Sequence, residues 1–396
     1  MILIGGGIHG VLSAIYYLKT NTYDYSTLTI IDPHPDLLAS WNTITRTAGI
    51  DYLRSPLVHH LDVDAFSLQS YAKKNGRTHE LAGQYARPSC ALFADHAQSL
   101  IEKLNLASIH KQATVTKVER INSHWKLTLS TGETIYDTEV QLSVGQPPIK
   151  LPKAISKSIY NASSRIAAVA DVHKTEELLK QDSPQVLILG QGMTAVQFAL
   201  RLIHEKGIKP MLVHSHPFSK SEFDADPGWM GPKHLHQFYK TNNIRQRRNL
   251  ISKARNRGSL NDDVFRRCRY AVNKGLIKTN TGILESIMQK GDILYCTFDN
   301  GETRTANAVF LALGFDGLPG ESLLKPLAET FGKEFSPCGY PILSPQLEWL
   351  PGFFITGAAA ELQLGPVARN IQGARMAMQR MIPYLKKKHT QFEVQL

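Results

Sequence analysis

The chain has 396 residues, enough for two or three domains around substantial cores. With 42% hydrophobic and 20% charged residues it has the balance of an ordinary folded protein, and no apolar run is long enough for a bilayer span. The net charge of +11 favours anionic partners, among them nucleic acid, phosphate-rich cofactors and acidic small molecules.

The first predicted strand, "MILI", starts at Met1 with no charged leader, and a soluble, cytoplasmic protein is the expectation. Gly5, Gly7 and Gly10 follow as G-x-G-x-x-G. The next predicted helix has Leu12, Ala14, Ile15 and Leu18 on its apolar side, and the strand "STLTIID" ends on Asp32. Strand, glycines, helix, strand and acid in this order form a dinucleotide fingerprint. Gly5 permits the tight turn, Gly7 lets a pyrophosphate approach the backbone, and Gly10 lets the helix lie close to the strand. The helix start offers its N–H groups to the phosphates, and Asp32 can accept hydrogen bonds from a ribose.

A loop-like stretch after this unit carries Trp41, Arg54, His59 and His60. These are candidates to lie over a bound ring, with the cations holding an acidic substrate or a nicotinamide cofactor. A structural loop packed on the first domain is an equal reading. A predicted β-meander then leads into an apolar strand ending at Gly145.

The stretch "LILGQGMTAVQFAL" (187–200) supplies a second turn, G-x-G-x-x-A, from Gly190, Gly192 and Ala195. The strand after its helix ends on His214 and Ser215, with no acid. A neutral end tolerates a ribose 2′-phosphate, so this site favours NADPH, with Ser215 and Lys220 as candidate phosphate partners. Asp224 and Asp226 are weak candidates for acid–base work, and Trp229 reads as packing or as a cover for a ring. The basic segment 244–269, "IRQRRNLISKARNRG" followed by "FRRCRY", lacks any nucleic-acid motif and reads as a solvated helix face. The four cysteines contain no C-x-x-C, so no metal site or redox dithiol is expected.

The chain then repeats itself. A second meander carries the same Gly-Glu-Thr turn at 301–303 as the first at 132–134, and its closing strand reaches Gly314 at the spacing that separates the first turn from Gly145. Each glycine turn therefore heads a complete dinucleotide module. Two such modules in one chain suit hydride transfer from a mobile nicotinamide to a resident flavin. Near the C-terminus a strand ends at Gly357, and Gly365 and Pro366 precede small helical residues, with Arg369 and Asn370 as further donors.

On these motifs the chain resembles flavoproteins with two dinucleotide-binding domains. "GGGIHG" with Asp32 is similar to their FAD half, "GQGMTA" to their NADPH half, "VFLALGFDG" to their interdomain segment, and "LPGFFITGAAAELQLGPVARNIQGARMA" to their C-terminal flavin segment. The "HSHPFSKSEFDADPGW" stretch resembles the ornithine/lysine N-hydroxylase branch of class B monooxygenases. The F-x-G-x-x-x-H fingerprint of other branches is missing.

The resemblance implies an α/β fold of two Rossmann-like three-layer domains. The FAD domain would be discontinuous, 1–165 and 310–396, with an NAD(P)H domain, 166–309, inserted. It implies FAD and NADPH as cofactors, and a small-molecule substrate hydroxylated with O2 through a peroxyflavin. An NAD(P)H-dependent reductase or oxidase without oxygen insertion, and a non-catalytic flavin-bound redox sensor, remain open. The sequence names neither substrate nor oligomeric state.

Overall fold

An unbroken apolar strand has to be covered on both faces. In the computed structural model, which describes residues 1–393, the strand β1 (Ile2–Ile4) is buried along its whole length. The helix α1 (Ile8–Lys19) covers one face. β1 pairs in parallel with β2 (Thr29–Asp32), and β2 pairs with β3 (His110–Gln112). An antiparallel meander, Val115–Ile121, His124–Leu129 and Thr134–Asp137, follows. The chain then re-enters the sheet as β4 (Val140–Leu142), parallel to the other side of β1.

The second sheet repeats the plan. Its strands are β5 (Ile166–Ala168), β6 (Val186–Leu189), β7 (Met211–His214), β8 (Lys278–Thr281) and β9 (Ala308–Leu311). All neighbouring pairs are parallel, in the order β5-β9-β6-β7-β8. The helix α2 (Met193–Lys206) follows the second glycine turn. A second meander, Leu284–Lys290, Ile293–Phe298 and Thr303–Ala306, precedes β9.

Between β7 and β8 the chain leaves this domain. It forms α3 (Pro232–Lys240) and α4 (Ile244–Ala254), whose Leu235, Phe238 and Ile251 join Trp229 in the core of the first domain. It returns as α5 (Asp262–Asn273), whose Val264, Cys268 and Ala271 lie in the core of the second. The outgoing and returning strands of this excursion run side by side as a neck. Leu260 N–H donates to Ser219 O at 2.9 Å, Ser221 N–H to Leu260 O at 2.9 Å, and Asn256 N–H to Asp224 O at 2.7 Å.

The first sheet is completed from the end of the chain by β10 (Glu348–Leu350) and β11 (Phe353–Ile355), giving the order β10-β11-β4-β1-β2-β3 with only β10 antiparallel. The short helix α6 (Glu361–Leu364) and the long α7 (Ile371–Glu393), which packs on α1, finish the domain. The α/β class and the paired modules agree with the sequence reading. The domain limits are less simple: a division between 309 and 310 cuts through β9, and the apolar faces of residues 225–251 belong to the first core. No helix among the described residues is long and apolar enough to cross a membrane.

The first domain buries a pair of histidines. The His60 and His96 rings meet edge to face at 5.3 Å, and burial pushes the pKa of each down to about 4. Both are neutral in the fold, whereas in the unfolded chain they titrate near 6.5. Their contribution is therefore complete above pH 6.5 and is lost as the pH falls toward 4. At pH 5 the loss is about 2 kcal/mol per residue. Urea unfolding at pH 7 and pH 5 should show a smaller acid loss for His96→Gln than for the native chain, by about that amount. An unchanged difference would mean that His96 is protonated in the fold.

Candidate functional site

The first glycine turn is built by backbone contact. Gly5 sits at φ +110°, and a Cβ there would lie 2.7 Å from Ser143 O. A Cβ on Gly10 would lie 1.8 Å from Gly5 O. Only hydrogen fits at either position. Gly7 is different: a Cβ there meets nothing within 4 Å. Gly7 caps α1 with no side-chain hydrogen bond, and the first turn carries no acid. The helix start thus presents unpaired N–H groups and roughly half a positive charge to an open space, which is an anion cradle. Asp32 accepts from Gly6 N–H at 2.7 Å and from His34 N–H at 3.0 Å. It fixes the turn, also meets His34 Nδ1 at 2.8 Å through Oδ1, and keeps a lone pair on Oδ2 for a ligand hydroxyl.

Gly145 also faces open space, and Gly357 at φ +71° faces Val144 O and the His9 ring. His9 lies in the first turn of α1, and burial pushes its pKa down to about 4. Neither ring nitrogen has a hydrogen-bond partner among the described residues. Sequence reading missed His9; the signal was an imidazole inside a motif of small residues.

The second turn repeats the construction. Gly190 has φ +143°, and its Cβ would lie 2.6 Å from Ala312 O. Ala195 is fully buried in α2, and Gly192 caps α2 with no side-chain bond. Gly190 and Gly192 line a cleft of about 1850 Å³ that runs between the two domains and under the excursion. Gly5, Gly7 and Gly10 lie outside its lining. Gln191 Oε1 accepts from Ser215 N–H at 3.2 Å, and its amide nitrogen meets His216 Nδ1. Gly258, at φ +72°, lies over Gln191 and His216.

The neck decides which cation reaches this end of the cleft. Lys220 bridges to Leu260 and turns outward to Asp262, 3.0 Å away, so it does not line the cleft as expected. Arg257, on the returning strand beside Gly258, does line it and is exposed.

The loop candidates separate. Trp41 lines the cleft, its ring 4.9 Å from Phe93. His59 also lines it, and burial first, then the charge of Arg375, pushes its pKa down to about 4. His60 does not line it; its ring bonds Ala65 O at 3.0 Å. Arg54 lines the cleft with its guanidinium already engaged. It donates to Ser221 O at 2.6 Å, Glu222 O and Phe223 O at 3.0 Å, and Ser259 Oγ at 2.8 Å. The sequence reading offered this cation to an acidic substrate or a nicotinamide cofactor, with a structural loop as an equal alternative; in the fold the neck's carbonyls engage it.

Gly314 lines the cleft at φ +78°. Gly365, at φ +86°, ends α6 among Leu235, Phe238 and Trp229. The helix expected directly after Gly365 and Pro366 begins only at Ile371. The intervening Val367, Arg369 and Asn370 line the cleft. Trp229 is buried against Phe238, at 5.8 Å. Asp226 caps its own turn and pairs with His234, while Asp224 pairs with Arg255 at 3.1 Å.

The basic segment is only partly a solvated face. Arg247 donates to Thr241 O, Leu362 O and Gln363 Oε1. Arg248 binds Glu361 and lies over the Tyr340 ring, 4.3 Å from its centroid. Glu361 is buried and is also gripped by Arg369 at 3.0 Å.

Residues 2–147 match a family model described as FAD-NAD(P)-binding. A search of curated protein sequences finds no match. The fold is shared with solved N-hydroxylases. An ornithine N-hydroxylase of Kutzneria sp. 744, solved with reduced FAD, NADP+ and L-ornithine, superposes with a TM-score of 0.80 at 13% identity, over 98% of this chain and 99% of that one. The ornithine hydroxylase of Pseudomonas aeruginosa gives 0.78 at 14%, over 98% of both chains. The L-lysine 6-monooxygenase of Pseudomonas syringae gives 0.75 at 17%, over 98% of both.

Replacing Arg54 with Met leaves three carbonyls of the neck without their shared donor. The variant should lose about 1.5–3 kcal/mol of stability, the range for hydrogen bonds to a charged group, and become open to proteolysis between 219 and 225. Native-like resistance in a limited digest would show that the neck holds without Arg54.

Proposed function

We propose that the chain is an FAD-containing, NADPH-dependent monooxygenase that hydroxylates a small molecule with O2. The carrying observation is the duplicated construction: two glycine turns, each closed against a backbone carbonyl, with uncapped helix starts, built into the fold of the N-hydroxylases.

FAD fits the first turn. The N–H groups of α1 would hold its pyrophosphate at Gly7, Asp32 its ribose, and the Gly145 and Gly357 segments would border it. Gly10 and Ala195 let their helices close on the sheets. NADPH fits the second turn at Gly190 and Gly192, near Gly314, with Ser215, His216 and Arg257 placed for a 2′-phosphate. Bound at the first turn, FAD would supply the electron transfer and oxygen activation that side chains lack.

The chain's own residues do the rest. Trp41 and Met230 supply apolar walls that limit water. His59, neutral at physiological pH, offers the cleft an imidazole that donates or accepts a hydrogen bond without adding charge. Gly365 supports the wall rather than a ligand. The deciding experiment follows oxygen: purified protein with NADPH, O2 and a panel of amines should form hydroxylated product in step with NADPH consumed. Peroxide equal to NADPH across the whole panel would favour the oxidase reading.

Three variants test the cofactor assignments. Gly7→Val should fold, because its side chain meets open space, yet purify without FAD; retained FAD would place the pyrophosphate elsewhere. NADPH should outperform NADH, and Arg257→Ala should cut that preference by one to two decades in kcat/KM, the value of about 1.5–3 kcal/mol for a charged contact. Lys220→Ala should leave the preference intact, and the reverse pattern would restore Lys220 as the phosphate partner.

A further inference from the structure

We infer that the cleft wall carried by α4 recognises an oxyanion, carboxylate or phosphate, on the molecule to be oxidised. The inference rests on the monooxygenase reading of the cleft and names the substrate class it accepts.

Arg248 lies in α4 and Arg255 is the extended residue just past its last turn, seven positions on, so the two mark one edge of the excursion. The excursion lays this edge against the C-terminal segment of the first domain, which contributes Arg369. All three arginines line the cleft. Arg248 and Arg369 share one carboxylate, Glu361, and Arg255 holds Asp224. Three guanidiniums thus face two carboxylates, and one positive charge is left over.

The excess is not dissipated in water. The three side chains are 18%, 14% and 16% exposed. Arg248 Nε and Nη2 and Arg255 Nε are buried with no hydrogen-bond partner among the described residues, the Cys338 thiol being the soft group that faces Arg248. Desolvated cationic donors are costly when unpaired and bind an oxyanion more strongly than hydrated ones. Arg54 and Arg257 add positive charge to the same cleft, Glu222 faces Arg87 at 3.6 Å, and the other acids of the lining, Glu285, Asp299, Asp316 and Glu321, form no ion pair with the three arginines among the described residues.

A network that served only to fix α4 on α6 would need Glu361 and its two arginines. Arg255 stands outside that network: its pair with Asp224 lies within the neck, beside the Ala225–Arg255 bridge, and leaves its Nε without a partner among the described residues. Apolar neighbours in the lining, Leu53, Met230 and Val367, suit the carbon body of a small molecule whose acidic end sits at the arginines.

The same chemistry could come from the phosphates of NADPH, so the test separates the two sources. Calorimetric titration of the purified, flavin-loaded protein with glutarate, inorganic phosphate and NADP+ is compared across variants. Glutarate or phosphate should bind the native protein. Arg248→Met, which leaves Glu361 paired with Arg369, and Arg255→Met should each weaken that binding at least tenfold. NADP+ affinity should change less than threefold. Asp224→Asn, which frees Arg255 from its counter-ion, should tighten anion binding severalfold, a gain that a purely structural role would not produce.

The inference is overturned if the native protein binds neither anion, if the variants leave anion binding unchanged, or if they weaken NADP+ while sparing glutarate and phosphate. Anion binding that follows the expected pattern in a protein that hydroxylates no amine would leave the anion site standing and remove the monooxygenase reading instead.

Discussion

The cleft depends on the way Arg54 holds the neck. A single guanidinium from the first domain binds three successive carbonyls of the outgoing strand and the Ser259 hydroxyl of the returning one. Carbonyls in a two-stranded neck have few partners of their own, and buried acceptors without donors are expensive. A planar cation with five donors meets several of them at once. The excursion is thereby anchored at its root, and its far end is anchored by Trp229, Leu235, Phe238 and Ile251 in the first core. With both ends held, α4 spans the gap between the domains and becomes a wall of the cleft.

Much of this architecture was legible because backbone sterics leave little choice. Gly5 and Gly190 occupy positive φ with a carbonyl under 3 Å from where a Cβ would stand. No other residue fits both demands, so the glycines announce the turn wherever they occur. The buried parallel strands were equally visible as short apolar runs, and the two Gly-Glu-Thr turns marked the meanders because a tight turn between antiparallel strands also needs a residue at positive φ; Gly132 and Gly301 supply it at +86° and +79°.

What stayed hidden depends on contacts distant in sequence. Nothing near Lys220 indicates that it will point at Asp262, 42 residues on, or that Arg257 will take its place at the cleft; both follow from the pairing of the neck strands. Arg54 could not be told from a free cation because its partners are carbonyls, which carry no sequence signature. The late start of α7 has a local cause that was misread: Gly365 at φ +86° and Pro366 end one helix rather than open the next.

The basic segment joins these two kinds of information. Its charge was obvious and its helices were readable, but charge run and solvated face are not equivalent. Helix α4 turns some of its arginines inward because the excursion gives it two partners, α6 beneath and the cleft beside. Inward arginines need acids, and Glu361 and Asp224 supply fewer than the three guanidiniums require. Net charge is a surface property in most proteins. Here part of it is carried into a site where His59, also in the lining, is held neutral by burial and by Arg375. A neutral histidine adds nothing to the positive field and removes nothing from it, so at this wall the field is set by the three arginines and the two carboxylates they hold, and an anion entering there meets the excess.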